Sequence, residues 1–318
     1  MSGETLILGL NPAWQRLFIL DKLKLGEVRR MPKAAEYASG KGINCARILR
    51  LLGGNPMLSH FLGTGYGNKI FDEIAASGIK QVPVWIESPT RICTTIVTDD
   101  DITELIEPSP ELSEREMDDF CTGLGEVWQG ISNVALCGSQ PTGFNMASLV
   151  DFDFTGKKLY VDAFKDVQNL LEKGVELLKI NKLEYCELLS RFSIPQVTSS
   201  PQFWKMSASL LLERLPIRHL VVTDEENPVR LFFTLENKFQ SYTLAPPEIE
   251  TVNCIGAGDS FLAAWIYADS LGATVEERLA KATAVAVARC EAEQPWDLDL
   301  AHAAEFEGAL LKKIEKEA

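Results

Sequence analysis

Short apolar runs of strand length alternate with amphipathic stretches of helix length along almost the whole chain, and this alternation is the strongest constraint on its fold. Thr5 to Leu10, Val134 to Cys137, Lys158 to Asp162, Leu178 to Ile180 and His219 to Thr223 are the strand candidates. They are apolar enough to lie inside a mainly parallel sheet. Between them, Ile43 to Leu52 is closed by Gly53-Gly54, and Ser113 to Gln129 opens on a Ser-x-x-Glu capping box. Lys182 to Arg191 and Gln202 to Leu215 complete the helix candidates. The pattern predicts an α/β doubly wound layer structure. At 318 residues, 46% of them hydrophobic, the chain can bury a full core.

Two stretches break the pattern. Leu17 to Ala38 and Val84 to Ile106 read as strands joined by turns, with Ile92, Thr94, Ile96 and Thr98 alternating against Cys93, Thr95 and Val97. They predict a small β-lid, over residues 12–38 and 84–108, inserted in a single domain spanning 1–318. Asp99-Asp100-Asp101 lacks the ligand spacing and glycine of a calcium loop and reads as a solvated hairpin turn.

Charge and composition exclude several classes of function. A net charge of −14 argues against nucleic acid, whose phosphates need a basic footprint. The same charge repels any anionic ligand, so a phosphate site here must carry its own cations and a metal. The longest apolar runs are too short to cross a bilayer, and no basic segment precedes an apolar one at the start, so a cytoplasmic protein with no membrane partner is expected. The seven cysteines are scattered and never form CxxC, which suggests small buried apolar residues rather than disulfides or a zinc site. His60, His219 and His302 have no metal-like spacing, and the six tryptophans are dispersed as core and lid packing would have them.

Chemistry concentrates in two glycine-rich stretches. Asn253-Cys254-Ile255-Gly256-Ala257-Gly258-Asp259-Ser260 runs into an apolar stretch of helix length, Phe261 to Leu271, that ends at Gly272. Unpaired N–H groups at such a helix start attract a phosphate, and the glycines let it come close. An aspartate in the same turn stands where a base taking a hydroxyl proton belongs. The competing reading is a plain turn whose Asp259 caps the helix. The stretch is neither a Walker loop nor a Gly-x-Gly-x-x-Gly fingerprint. Ala38-Ser39-Gly40-Lys41-Gly42-Ile43-Asn44 also runs into a helix; Lys41 offers a point charge to phosphate and Asn44 an amide to sugar hydroxyls. An ordinary loop before a helix accounts for it equally well.

Together, Gly40-Lys41-Gly42-Ile43-Asn44 and Gly256-Ala257-Gly258-Asp259 resemble the two signatures of the PfkB, or ribokinase-like, carbohydrate kinases. Asn11-Pro12-Ala13, Thr90-Arg91, Gly138-Ser139-x-Pro141-x-Gly143 and Lys179-x-Asn181-x-x-Glu184 agree, so the resemblance covers nearly the whole chain. Asn11-Pro12-Ala13, Leu25 to Val28 and Thr103 to Leu105 are most similar to the hexose-phosphate branch, which holds 1-phosphofructokinase and tagatose-6-phosphate kinase.

The resemblance implies a ribokinase-like three-layer sandwich with a mainly parallel central sheet and a β-lid. It implies transfer of the γ-phosphate of ATP, with Mg2+, to a hydroxyl of a phosphorylated hexose of the fructose 1-phosphate or tagatose 6-phosphate class. By position, Asp259 becomes the general base and Gly256, Ala257 and Gly258 the anion hole. Gly40, Lys41, Asn44, Arg91 and Ser139 would hold the sugar phosphate, with Gln15 at a further sugar-binding position. Lys179, Asn181 and Thr223 would meet the nucleotide, and Glu184 the magnesium through water. Relatives pair through their lids, so an apolar lid face would imply a homodimer.

The chain departs from the family's pattern at Gln15 (usually aspartate), Ser39, Cys93, Ile106 and Ser109 on the sugar side, and at Thr223-Asp224-Glu225 and Cys290-Glu291 on the nucleotide side. These departures keep open a non-phosphorylated sugar or a nucleoside as acceptor, or a degenerate protein that binds a sugar phosphate without transferring anything.

Overall fold

The computed structural model describes residues 3–30, 34–195 and 200–317; of the first lid segment, positions 31–33 lie outside the described residues. The chain begins with β1 (Glu4–Leu8), β2 (Ala13–Ile19), β3 (Ala35–Ser39), α1 (Lys41–Leu51), β4 (Pro56–Thr64), α2 (Gly67–Ala76) and β5 (Lys80–Pro89). It continues through β6 (Ile92–Val97), β7 (Ile102–Ile106), α3 (Glu114–Val127), β8 (Ile131–Cys137), α4 (Met146–Val150), β9 (Lys158–Asp162), α5 (Gln168–Leu171), β10 (Val175–Asn181) and α6 (Lys182–Arg191). The last part holds α7 (Pro201–Arg214), β11 (Ile217–Asp224), β12 (Asn227–Leu235), β13 (Lys238–Leu244), α8 (Ala257–Ser270), α9 (Val275–Cys290), α10 (Leu300–Leu310) and β14 (Glu315–Lys316).

Ten strands form one sheet in the order β14-β13-β12-β11-β10-β9-β8-β1-β4-β5. From β11 to β5 every pairing is parallel, and β12 to β14 extend the other edge antiparallel. Each central strand is apolar on both sides because each side is covered by helices. In β1, Leu6 and Leu8 pack with Phe120 of α3 and Tyr185 of α6, while Ile7 packs with Ile43 of α1 and Phe261 of α8. The result is the mainly parallel α/β layer structure expected from the alternation.

Four strands form a second sheet, β3-β2-β6-β7. Val84 to Pro89, read from sequence as lid, instead lie in β5 at the edge of the large sheet, paired with β4, and the second sheet resumes only at Ile92. The acidic triplet Asp99 to Asp101 forms the turn between β6 and β7, where the Asp101 amide donates to Thr98 Oγ1 at 2.9 Å. Ser113 closes its capping box with Glu116 as predicted. Cys45 and Cys137 are buried, whereas Cys254 is exposed on the turn before α8, against the expectation of uniform burial. The Val252 and Asn253 amides tie that turn to the Cys290 carbonyl, and the Cys254 thiol, though exposed, meets the Cys290 thiol. Among the described residues no helix is long and apolar enough to cross a membrane.

Candidate active site

Strand parity and helix starts bring the two glycine stretches together. In β9, Tyr160 packs on the α1/α8 side of the sheet while Leu159 and Val161 pack on the other; in β10, Leu177 and Leu178 divide in the same way. A period of two therefore aims Asp162 and Lys179 toward α1 and α8. Register sets Leu177 beside Tyr160 and Leu178 beside Val161, so one further step puts Lys179 next to Asp162. From the helix layer, Lys41 is the first residue of α1, and Asp259 lies in the first turn of α8.

Gly40 and Gly256 precede these helices with φ of 124° and 83°, in a region that disfavours any side chain. Gly42 lets α1 approach the end of β1, since a Cβ there would come within 2.2 Å of Gly9 Cα. At Gly258 a Cβ would lie 3.0 Å from Lys179 Nζ, so the glycine keeps room for that ammonium beside the first amides of α8.

Five side chains form two hydrogen-bonded sets that feel each other's charge. Lys41 Nζ donates to Asp162 Oδ1 at 2.8 Å, and Lys179 Nζ donates to Asp162 Oδ2 at 2.8 Å. Asn44 Nδ2 donates to Asp259 Oδ2 at 2.9 Å, which ties α1 to α8. Burial, reinforced by the Asp162 carboxylate, pushes Asp259 up to about 6 against the pull of Lys41, Asn44 and Lys179. Burial also acts to raise Asp162, but Lys179 and Lys41 outweigh it and hold that carboxyl at about 2. Asp162 in turn raises the Lys41 ammonium, against its own desolvation. Asp259 is thus a buried carboxylate whose proton affinity is raised toward neutral pH, held by the Asn44 amide in the first turn of α8.

Two clefts open on either side of Lys41. The first, of about 210 Å³, is lined by Asn11, Gly40, Lys41, Arg91, Ile106 and Ser139 among others. Arg91 Nη2 donates to the Asn11 carbonyl at 2.8 Å, and Asn11 Nδ2 donates to Ser109 Oγ at 2.8 Å and Ser139 Oγ at 3.1 Å. The second cleft, of about 230 Å³, is lined by Lys41, Gly138, Ser139, Gln140, Ala163, Phe164, Lys165 and Glu184. Gln15 lines neither; its amide donates to Thr95 Oγ1 at 2.7 Å inside the second sheet.

On the nucleotide-side candidates, Asn181 and Glu184 cap α6 reciprocally: Asn181 N donates to Glu184 Oε2 at 2.9 Å, and Glu184 N to Asn181 Oδ1 at 2.8 Å. The other Glu184 oxygen faces Lys41 at 3.9 Å. Magnesium is bound through one or two carboxylates and keeps several waters. Glu184, with an oxygen facing the second cleft and free of the cap, fits that role, whereas both Asp162 oxygens are taken by lysines. Thr223 stands near the end of β11, where Asp224 is paired with Lys182 at 3.0 Å and Glu225 turns the chain at φ 50°.

A model of the pfkB family carbohydrate kinases matches residues 16–297. The chain belongs to that family. Over 286 residues this pfkB kinase is 28% identical to a tagatose-6-phosphate kinase of Staphylococcus epidermidis, covering 88% of this chain and 89% of that relative. Its fold is similar to phosphofructokinase-2 from Escherichia coli, with a TM-score of 0.84, 19% identity and coverage of 96% of this chain and 99% of that one. It is also similar to a ribokinase from Thermotoga maritima, with a TM-score of 0.74, 18% identity and coverage of 98% and 99%. The expected ribokinase-like fold and kinase class therefore stand.

The sequence reading missed Asp162, and Asn11 as a site residue. The usable signal for Asp162 was its position: an acidic residue ending an apolar run sits at the carboxyl edge of a parallel sheet, where ligands bind.

Proposed function

We propose that this kinase moves the γ-phosphoryl group of ATP onto a free hydroxyl of a phosphorylated hexose, of the fructose 1-phosphate or tagatose 6-phosphate class, with Asp259 as the base. The observation that carries the proposal is Asp259 itself: buried, raised to about 6, and held by Asn44 at the start of α8. It is mostly ionised at neutral pH yet close enough to neutrality to take a hydroxyl proton. The Gly256, Ala257 and Gly258 amides stabilise charge developing on the transferred group.

In the first cleft, Lys41 and Arg91 face the acceptor's phosphate, with Gly40 and Ser139 fixing its orientation, while Asn44, behind that wall, holds Asp259 toward the acceptor. Gln15 acts one step back, ordering Thr95 in the lid. Lys179, Asn181 and Thr223 flank the nucleotide, and Glu184 holds the hydration shell of Mg2+, which neutralises phosphate charge when bound. Two copies pair through their lids, where β7 exposes Ile102, Leu105 and Ile106 at 55%, 59% and 59%.

The test is an acceptor panel with ATP and Mg2+, run on the wild type and on Asp259→Asn. Hexose phosphates are expected to turn over and neutral sugars and nucleosides to fail, while the variant keeps its substrate affinities and loses about 10³-fold or more in kcat. Turnover of neutral acceptors alone, or a variant near full activity, overturns the proposal.

A further inference from the structure

Two ammonium groups, Lys41 and Lys179, stand against three carboxylates, Asp162, Asp259 and Glu184, so the ionised cluster carries a net negative charge. Two polyanions cannot be gathered there without further cations. In the first cleft Arg91 supplies one. In the second, the additional cation is Lys165. Its ammonium makes no ion pair among the described residues and rests 5.7 Å from the Phe164 ring. Phe164 is in turn fixed by Arg191, whose guanidinium lies 5.6 Å from the same ring and whose Nη1 donates to the Phe164 carbonyl at 3.1 Å. The loop after Asp162 is thus clamped to α6, and Lys165 shares a wall with Glu184. Gln140, on the same cleft, has a buried Nε2 with no acceptor, a donor that a phosphate oxygen would satisfy. At about 230 Å³ the cleft is smaller than pockets that enclose whole ligands, roughly 300 Å³ and up, and suits a phosphate chain better than a nucleoside.

We propose that Lys165, with Gln140, binds the phosphate chain of the nucleotide in the second cleft, leaving Arg91 to the acceptor. This rests on the reading of ATP as phosphoryl donor. Because Lys165 is exposed and outside the Asp162 network, its loss leaves the fold and the base untouched.

The experiment compares wild type, Lys165→Ala, Lys165→Glu and Lys165→Arg by steady-state kinetics and by calorimetric titration with ADP, with a melting curve for each. Lys165→Ala is expected to raise the ATP KM and the ADP Kd about tenfold, equivalent to about 1.4 kcal/mol, with little change in kcat or acceptor KM. Lys165→Glu should lose more, Lys165→Arg should stay near wild type, and the salt dependence of ADP binding should flatten in Lys165→Ala. A wild type that binds a sugar phosphate but neither ADP nor ATP sinks the donor reading and this assignment together. A wild type that uses ATP normally, beside a folded Lys165→Ala with unchanged ATP KM and ADP Kd, or with only its acceptor KM raised, overturns Lys165 alone.

Discussion

Asp259 and Asp162 are both buried carboxylates in one site, yet their surroundings drive them in opposite directions. One has an amide donor and a neighbouring negative charge; the other has an ammonium on each oxygen. With Asp259 acting as the base, kcat/KM should fall about tenfold per pH unit below about 6, since protonated Asp259 cannot accept the hydroxyl proton. Asp162→Asn removes a charge that raises Asp259 and frees two lysines that lower it. The acid limb of its pH–rate profile should therefore move to lower pH, and a limb that stays in place would count against the coupling. At this scale Asp259 and Lys41 were legible because the glycines beside them, Gly256 and Gly258 before the one and Gly40 and Gly42 around the other, announce a helix start built for an anion. Asp162 was not. A lone carboxylate ending a strand gains its meaning only when Lys179, 17 residues on, and Lys41, 121 residues back, converge on it.

Among the elements, α1 has the least freedom, because it carries Lys41 and Asn44 and is seated on β1 through Gly42 and Gly9. Gly42→Ala should push α1 off its seat, costing about 1–3 kcal/mol of stability as overpacking does, and should lower kcat as well because both side chains ride on the helix. Denaturant melts together with steady-state kinetics test this, and a variant with wild-type stability would show that the contact relaxes freely. Most helices and strands could be read from periodicity, and the capping box of α3 from four letters. β5 was misassigned to the lid because it is an edge strand: its alternation of buried and exposed residues has the same period as a solvated hairpin, and only its pairing with β4 tells the two apart. The turn after β11 takes a left-handed conformation at Glu225, with φ of 50° and no glycine to ease it. Composition alone could not reveal that.

Across the whole molecule, a net charge of −14 surrounds a site that must gather anions, so the few cations near the clefts carry disproportionate weight. The lid's exposed apolar strand is the other large-scale feature, and its polar replacement should be felt as a change of assembly. Leu105→Glu with Ile102→Glu is expected to convert a dimer to a monomer in sedimentation velocity, while a wild type that is monomeric at every concentration would rule out pairing through this strand. A last consequence follows from the hydrogen bond between Asn44 and Asp259, which joins residues 215 positions apart. Most of the parallel sheet can assemble from neighbouring segments, but this contact waits for α8, which begins only at Ala257. During synthesis or refolding, secondary structure and much of the core therefore arrive first, and the ability to transfer phosphate is the last property the chain acquires.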